Sequence, residues 1–178
     1  MNNDKNTQTE NPIVIFDTNH GNFEVEIFLN EMPITANNFL KLVNEEFYDK
    51  VKFHRVIKNF MIQAGDPLSK SDDYKNRWGT GGPGYTIKDE FVENISNIRG
   101  TISMANSGPN SGGSQFFINV KNNSFLDFDK EPLQSKHPVF GKVIKGIDIV
   151  DNISNTKTGA NDIPVKDVII NKIYIKES

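Results

Sequence analysis

FHRVIKNFMIQAGD, residues 53–66, combines a strand pattern with an unusual choice of side chains. Successive side chains of a strand face opposite sides, so an extended segment 60–64 would place Met61 and Gln63 on one face. That face combines a soft apolar side chain with an amide, and Arg55 lies on the neighbouring run. An ordinary core face would not carry these groups. The stretch therefore predicts two short strands that form the wall of a binding site. That site would accept an apolar group of a ligand and form a hydrogen bond to a polar group next to it.

A second segment, SMANSGPNSGGSQFFINV at residues 103–120, repeats this arrangement. If residues 115–120 are extended, Gln115 and Phe117 share one face and Phe116 turns toward the core. The polar residues of either segment alone could simply cap an open barrel face toward water. Two such faces in one chain favour a shared site over that alternative.

The rest of the chain is a series of short strand patterns separated by turns, with two helical patterns. Pro33 and Thr35 are helix-start signals, and apolar residues up to Phe47 follow them at helical spacing, while a second helix fits residues 147–153. The predicted strands cover residues 13–17, 23–29, 52–57, 61–64, 100–104, 115–120, 139–143 and 168–175. Many short strands and only two helices predict a mainly β fold, an antiparallel barrel or sandwich.

The composition is that of one globular domain. The 178 residues suffice for a continuous core, to which 13 Phe contribute a large apolar area. We assign residues 12–178 to this domain and residues 1–11, which are polar and rich in Asn, to a flexible tail. A net charge of −3 argues against a nucleic-acid partner, and no apolar run reaches membrane-spanning length. The N-terminus has no apolar leader segment, so we expect a cytoplasmic protein, and we expect it to be a monomer.

Motifs for other chemistries are incomplete. GTGGPG at residues 79–84 lacks the Gly-Lys-Ser/Thr sequence of a phosphate loop and the strand–helix context of a dinucleotide site. The three histidines lack metal-ligand spacing and the chain has no Cys, so no metal site is predicted. Ser114 lies in GGSQF rather than in a G-x-S-x-G elbow, which argues against a serine hydrolase. We therefore expect neither a metal nor a cofactor.

Four segments in a fixed order carry a family resemblance: FHRVIKNFMIQAGD, WGTGGPGYTIKDEF, GTISMANSGPNSGGSQFFI and HPVFGKV. The sequence resembles the cyclophilins, the cyclosporin-binding class of peptidyl-prolyl cis-trans isomerases, over residues 13–175. The resemblance implies a closed eight-stranded antiparallel β-barrel capped by two α-helices. It also implies an enzyme that isomerises X–Pro bonds in unfolded or flexible chains and so assists protein folding.

The resemblance further implies a catalytic residue and an apolar pocket for the proline ring. Arg55 would be the catalytic residue, and Asn106 would bind the substrate backbone through its main chain. The pocket would be formed by four apolar side chains, namely Phe60, Met61, Phe117 and Leu126.

Two more groups of positions complete the implied site for a proline-containing polypeptide. The groove for the residues that precede the proline would be lined by Gly79, Ser107, Ser111, Gly112 and Gly113. The other neighbours of the catalytic residue would be His54, Gln63, Ala105, Gln115, Phe125 and His137.

The chemistry of the X–Pro bond supports the role of the arginine. Rotation must break the amide resonance against a barrier of about 18–20 kcal/mol. As the bond twists, the proline nitrogen regains a lone pair, and a donor aimed at it stabilises the twisted state more than either planar state. Arg55 stays charged and presents fixed donors, and Gln63 on the neighbouring run could hold its guanidinium in place. No nucleophile or general base is required.

Three features depart from the family pattern. Phe125 stands where many members have a Trp that donates a hydrogen bond to cyclosporin, and Phe has no such donor. We therefore predict weak cyclosporin binding with isomerase activity retained. Segment 127–136, DFDKEPLQSK, is longer than the short turn of compact members and separates Leu126 from His137. Segment 69–78, SKSDDYKNRW, is elongated and charged, and we favour a solvated surface loop over a modulator of substrate choice.

Two other functions are weighed against the enzyme. A proline-peptide binding module would use the same groove without turnover, and it would need the pocket but no donor at the prolyl nitrogen. The presence of Arg55 therefore favours the enzyme. A purely structural barrel would leave the two polar strand faces without a purpose.

Overall fold

The structure, a computed structural model, describes residues 10–131 and 136–177. Residues 1–9 of the predicted tail and residues 132–135 of the long segment before His137 lie outside the described residues. The strands and α-helices in the described part are β1 (Ile13–Thr18), β2 (Gly21–Ile27), α1 (Pro33–Asn44), β3 (Arg55–Ile57), β4 (Met61–Ala64), β5 (Thr101–Met104), β6 (Phe116–Asn119), β7 (Val139–Lys145), α2 (Ile147–Ser154) and β8 (Ile170–Ile175).

The strands form one curled sheet in the order β3-β4-β6-β5-β7-β2-β1-β8, and all neighbouring strands are antiparallel. Within residues 10–131 and 136–177, the two edges of the sheet meet only over a short seam between residues 50–53 and 168–170. There the N–H of Phe53 donates to the carbonyl of Val168, and the N–H of Ile170 donates to that of Val51, each at 2.9 Å. The predicted eight antiparallel strands and two helices are confirmed. The predicted closed barrel is an overstatement, because β3 begins beyond the seam and does not pair with β8.

The core is built from strand faces that alternate as the sequence predicts, together with aromatic rings. The rings of Phe16 and Phe23 stack with their centroids 4.7 Å apart, and Phe116 meets Phe16 edge-on at 5.7 Å. On α1, Phe39 packs against Phe140 of β7 at 5.2 Å. The helix therefore covers one end of the curled sheet, and the main core lies between them.

Helix α1 begins where the sequence predicts and ends earlier than the hydrophobic spacing suggests. Pro33 occupies the first helical turn, where a missing N–H costs nothing because that N–H would have no partner. The carboxylate of Glu90 accepts hydrogen bonds from the N–H groups of the next two residues, at 3.2 and 3.0 Å. The helix ends at Asn44, so Phe47 lies in the turn that follows. No described helix is long and apolar enough to cross a membrane.

Short 3₁₀ helices occupy places where the sequence indicated only loops. In the described part of the chain they are Pro67–Lys70, Asp72–Arg77, Ser124–Leu126 and Ala160–Asp162. The first two account for the charged segment 69–78. Most of its side chains are exposed, which agrees with the interpretation of a surface loop, but its backbone is ordered by side-chain caps from Asp66 and Ser71.

Candidate active site

Strands β4 and β6 bring the predicted pocket residues side by side. Gln63 lies opposite Phe117 in the register of the two strands. Met61, Phe117 and Leu126 form a small apolar cluster that is separate from the main core, and each is at most 7% exposed. The other residues of β4 face the main core, so the predicted alternation of this strand is confirmed.

A pocket of about 260 Å³ opens over this cluster, with apolar and polar side chains in its lining. It is lined by Arg55, Phe60, Met61, Gln63, Ala105, Asn106, Phe117, Leu126 and His137. Its volume lies below the range of drug-sized ligand sites, roughly 300–1,000 Å³, and suits a single small ring. The structure thus brings together nine of the residues that the sequence analysis named.

His137 forms the far wall of the pocket. Its ring meets Phe117 edge-on with the centroids 5.2 Å apart. Nδ1 lies 2.9 Å from the carbonyl oxygen of Met104, to which the ring donates in its Nδ1–H tautomer. The long segment before His137 therefore does not move this side chain away from the site.

A larger groove of about 450 Å³ continues from the pocket, and the two share Gln63, Ala105 and Asn106. Its remaining lining residues are Gly79, Thr80, Gly81, Gly82, Pro83, Tyr85, Thr86, Ser107, Ser111, Gly113, Ser114 and Gln115. Of the predicted groove residues, Gly112 alone is not in the lining, because it is buried and its carbonyl accepts from the N–H of Ile87. The sequence analysis missed Tyr85 and the threonines, although the Gly-rich run beside them marks a backbone-lined surface.

Arg55 lies at the mouth of the pocket with 46% of its side chain exposed. Gln63 is its register partner across β3 and β4, but the amide of Gln63 donates to Oε1 of Gln115 at 3.0 Å and not to the guanidinium. The nearest acid is Asp162, whose Oδ2 lies 3.8 Å from Nε of Arg55. Nothing in the local sequence pointed to Asp162, because it reaches the site from the distant loop before β8.

Gln115, which directly precedes β6, holds the backbone of residues 79–81, and this backbone forms one wall of the groove. Its Nε2 donates to the carbonyl oxygens of Gly79 and Gly81, at 3.0 and 2.8 Å. The fully buried carboxylate of Asp66 accepts a hydrogen bond from the N–H of Gly79. A side chain at Gly81 would collide with that carboxylate. The backbone of this wall is therefore fixed by hydrogen bonds to Gln115 and Asp66, and the wall also lines the groove.

Asn106 uses its side chain within the protein and leaves its main chain available. Nδ2 donates to the carbonyl oxygen of Lys136 at 2.6 Å, and Oδ1 accepts from the N–H of Gly108 at 3.4 Å. Among the described residues no hydrogen bond involves the N–H or C=O of Asn106. This arrangement is compatible with the main-chain contact to substrate that the family resemblance implies.

Of the two histidines of the predicted site, His54 is buried and His137 is half-buried, and only His137 lines the pocket. His54 is 4% exposed and lies beneath Gly79, and neither of its ring nitrogens has a hydrogen-bond partner among the described residues. Burial lowers the pKa of His54 and that of His137, so both are neutral at neutral pH. Arg55 is then the one charged side chain in the pocket lining. No group of three His, Asp or Glu residues within the described ranges could hold a metal ion.

Phe125 lies at the rim of the pocket and not in its lining. It is 52% exposed, and its ring stacks on that of Phe60 with the centroids 6.0 Å apart and the planes 17° from parallel. The rim is therefore aromatic but offers no hydrogen-bond donor from this side chain.

The curled sheet thus carries a ring-sized pocket that opens into a backbone-lined groove, and together they define a β-barrel protein with one continuous candidate site. A sequence profile of the family described as cyclophilin type peptidyl-prolyl cis-trans isomerase/CLD matches residues 13–175. The chain therefore belongs to the cyclophilin-type peptidyl-prolyl cis-trans isomerases, and it is an enzyme of that class. The predicted family and activity are confirmed.

Individual relatives support this assignment. Peptidyl-prolyl cis-trans isomerase B of Escherichia coli K12 is 40% identical over 173 residues, which cover 93% of this chain and 100% of the relative. Peptidyl-prolyl cis-trans isomerase CYP71 of Arabidopsis thaliana is 40% identical over 166 residues, 93% of this chain but only 24% of that longer protein. The crystal structure of a cyclophilin type isomerase from Cryptosporidium parvum superposes with a TM-score of 0.82 at 31% identity, covering 94% of this chain and 99% of the other. A second structure of that protein, in the presence of the dipeptide Ala-Pro, gives a TM-score of 0.80, again at 31% identity.

Proposed function

We propose that this isomerase acts on X–Pro bonds in extended, flexible protein segments and so assists protein folding. The observation that carries the proposal is the continuity of a ring-sized pocket with a longer groove, with Arg55 at the mouth of the pocket. The proline ring would occupy the pocket, and the residues before it would lie along the groove. The structure of a relative in the presence of Ala-Pro supports a proline-containing ligand.

In the proposed mechanism, Arg55 donates a hydrogen bond to the prolyl nitrogen as the amide twists. The uncatalysed exchange takes tens to hundreds of seconds, and an acceleration of about five orders of magnitude requires the barrier to fall by roughly 7 kcal/mol. One preorganised donor contributes about 3–4 kcal/mol. The remainder would come from holding the ring against Met61, Phe117 and Leu126 while the other side of the bond turns.

Asp162 would orient the guanidinium without immobilising it. Both side chains of the pair are about half exposed and their charged atoms lie 3.8 Å apart. Exposed pairs of this kind are weak, because water screens the charges and ordering two long side chains costs entropy. Arg55 can therefore turn toward a substrate nitrogen at little cost.

The decisive experiment is the substitution Arg55→Ala. We expect kcat/KM for a proline peptide to fall about 10²–10³-fold, as on removal of one electrostatic donor, with little change in peptide affinity. The rates would be measured by NMR exchange between the cis and trans forms of the peptide. Arg99→Ala is the matched control, because Arg99 is also about half exposed and pairs with Asp151, but lies outside the pocket and groove. A fully active R55A enzyme would refute the proposed role of Arg55, whereas a wild type that binds the peptide without turnover would favour the proline-peptide binding module.

Three expectations from the sequence remain proposals. We infer that cyclosporin binds weakly, since Phe125 offers no donor at the rim. The single domain of residues 12–178 is supported by one sheet that runs from β1 to β8. The protein would be a cytoplasmic monomer, which light scattering in solution and fractionation of cells would test.

A further inference from the structure

Lys52 is a buried lysine outside the pocket whose side chain contacts two separate parts of the molecule. Its side chain is only 9% exposed. Nζ lies 2.6 Å from Oδ1 of Asp72 and 2.8 Å from Oδ2 of Asp167. The same ammonium group lies 4.9 Å from the centre of the Trp78 ring. Lys52 thus joins the charged loop 69–78 to the segment that leads into β8.

The lysine stays charged in this position. Burial alone would lower its pKa, but the hydrogen bonds to Asp167 and Asp72 outweigh that effect and raise the pKa of Lys52. Asp72 is 69% exposed and would be well solvated without the lysine. The contact therefore does not rescue a buried carboxylate; its effect is to determine where the loop lies.

Two routes lead from Lys52 to the same wall of the groove. Through the backbone, the N–H of Lys52 donates to Oγ of Ser69 at 2.9 Å, and that hydroxyl donates to the carbonyl of Asp66 at 2.6 Å. The carboxylate of Asp66 in turn holds the N–H of Gly79. Through the side chain, the ammonium contacts Trp78, which directly precedes Gly79 in the chain.

We propose that Lys52 is a positioning residue that fixes the wall 78–81 and thereby sets the affinity for the residues that precede the proline. This inference rests on the proposed function, in which those residues occupy the groove. Lys52 lines neither the pocket nor the groove. Its removal therefore affects the binding of extended substrates and leaves bond rotation itself unchanged.

A purely structural role makes a different prediction. Lys52 also lies in the barrel seam, where its backbone forms a bridge with Ile169. If it served only the seam, its removal would lower stability and affect short and long substrates alike. If Lys52 is a positioning residue, its removal should weaken the binding of extended substrates and leave that of short ones unchanged. A dipeptide such as Ala-Pro is too short to lie along the wall.

The test compares Lys52→Met with the wild type on Ala-Pro and on acetyl-Ala-Ala-Ala-Pro-amide, with kcat and KM measured by NMR exchange. For the extended peptide we expect KM to rise about fivefold with kcat unchanged, which corresponds to roughly 1 kcal/mol of binding free energy. For Ala-Pro we expect neither constant to change. The only tryptophan of the chain, Trp78, provides a fluorescence reading of peptide Kd in the same samples.

Two variants serve as controls. Lys52→Arg keeps a cation that can reach both carboxylates and stack on Trp78, so it should restore most of the lost affinity. Lys142→Met removes a half-exposed lysine on β7 that also pairs with a carboxylate and lies near an aromatic ring, since its Nζ lies 3.3 Å from Glu26 and 6.0 Å from the centre of the Phe28 ring. That variant should bind both peptides like the wild type.

An unchanged KM for the extended peptide in K52M, or an equal rise for both peptides, would overturn the inference. If K52M does not fold, the double variant D72N/W78L removes the contacts of Lys52 to the loop while leaving its pair with Asp167, and it must show the same selective rise. A wild type that turns over neither peptide would refute the proposed function instead. In that event the effect of Lys52 is still tested by comparing the Kd of the extended peptide between variants. The Kd would be read from Trp78 fluorescence in the wild type and from tyrosine emission in D72N/W78L.

Discussion

Phe125 is the residue at which we propose that isomerisation and cyclosporin binding differ in what they require. Its ring continues the apolar surface of Phe60 at the rim, so a substrate still meets an aromatic edge there. What it lacks is an N–H donor, which isomerisation does not need in the proposed mechanism.

We expect Phe125→Trp to raise the affinity for cyclosporin about three- to tenfold, the equivalent of one net hydrogen bond. The proline pocket is unchanged by this substitution, so kcat/KM for a proline peptide should stay within about twofold. Titration calorimetry with cyclosporin and the NMR exchange assay would measure the two effects. Phe125→Leu adds no donor and should bring no gain in affinity. Wild-type protein that already binds cyclosporin as tightly as F125W would contradict this prediction.

At the scale of elements, a buried polar network connects the walls of the proline pocket. The carboxylate of Asp127 accepts hydrogen bonds from the hydroxyl of Ser96 and from the main-chain and side-chain N–H groups of Asn97, at 2.5 to 2.8 Å. Nδ2 of Asn97 also lies 3.3 Å from the carbonyl of His137. Asn123 donates to the carbonyl of Phe60 at 2.9 Å. The 3₁₀ helix that carries Leu126 is thereby joined to both neighbouring walls.

Asp127→Asn should loosen these walls. The amide can keep its one oxygen on the N–H groups of Asn97 and turn its N–H₂ toward Oγ of Ser96, but it replaces three hydrogen bonds to a charged carboxylate with weaker neutral ones. We therefore expect the free energy of unfolding to fall by about 1–3 kcal/mol. KM for proline peptides should rise, because the pocket is no longer held in one shape. Urea unfolding and the exchange assay measure the two quantities. Asp129→Asn is the control, since Asp129 is 56% exposed, and equal stability losses in the two variants would refute the argument.

For the whole molecule, the short seam is the place where the barrel should open first. Among the described residues, only the segments 50–53 and 168–170 join its two edges, whereas β1 and β2 pair along six residue positions. Regions with few cooperating hydrogen bonds open at a lower free energy than the whole domain. We expect the amide hydrogens of Phe53 and Ile170 to exchange with solvent faster than that of Val25 in β2.

Native-state hydrogen exchange followed by NMR would measure these rates. In K52M the seam amides should exchange still faster, because the lysine that pairs with Asp167 is lost. Equal protection of the seam amides and Val25, with both exchanging only through global unfolding, would show that the seam is as strong as the rest of the sheet.

The parts of the site that lie on regular strands could be predicted from the sequence. A strand alternates its side chains with a period of two, and this is a local property that sequence spacing reports directly. Met61, Gln63 and Phe117 were therefore placed on the correct faces, with Arg55 beside them. The closure of the barrel was overstated, because how two strand edges meet depends on curvature accumulated over the whole sheet.

Local spacing and composition were enough for the strand order along the chain, the apolar pocket faces and, through the family resemblance, the chemistry of X–Pro rotation. The partners of the polar groups came only from the folded molecule. Gln63 bonds to Gln115 rather than to Arg55, Asp162 reaches the arginine from another loop, and Lys52 lies against Trp78. Such contacts join residues far apart in sequence, and their geometry depends on how separate segments pack. No periodic pattern along one chain can specify it.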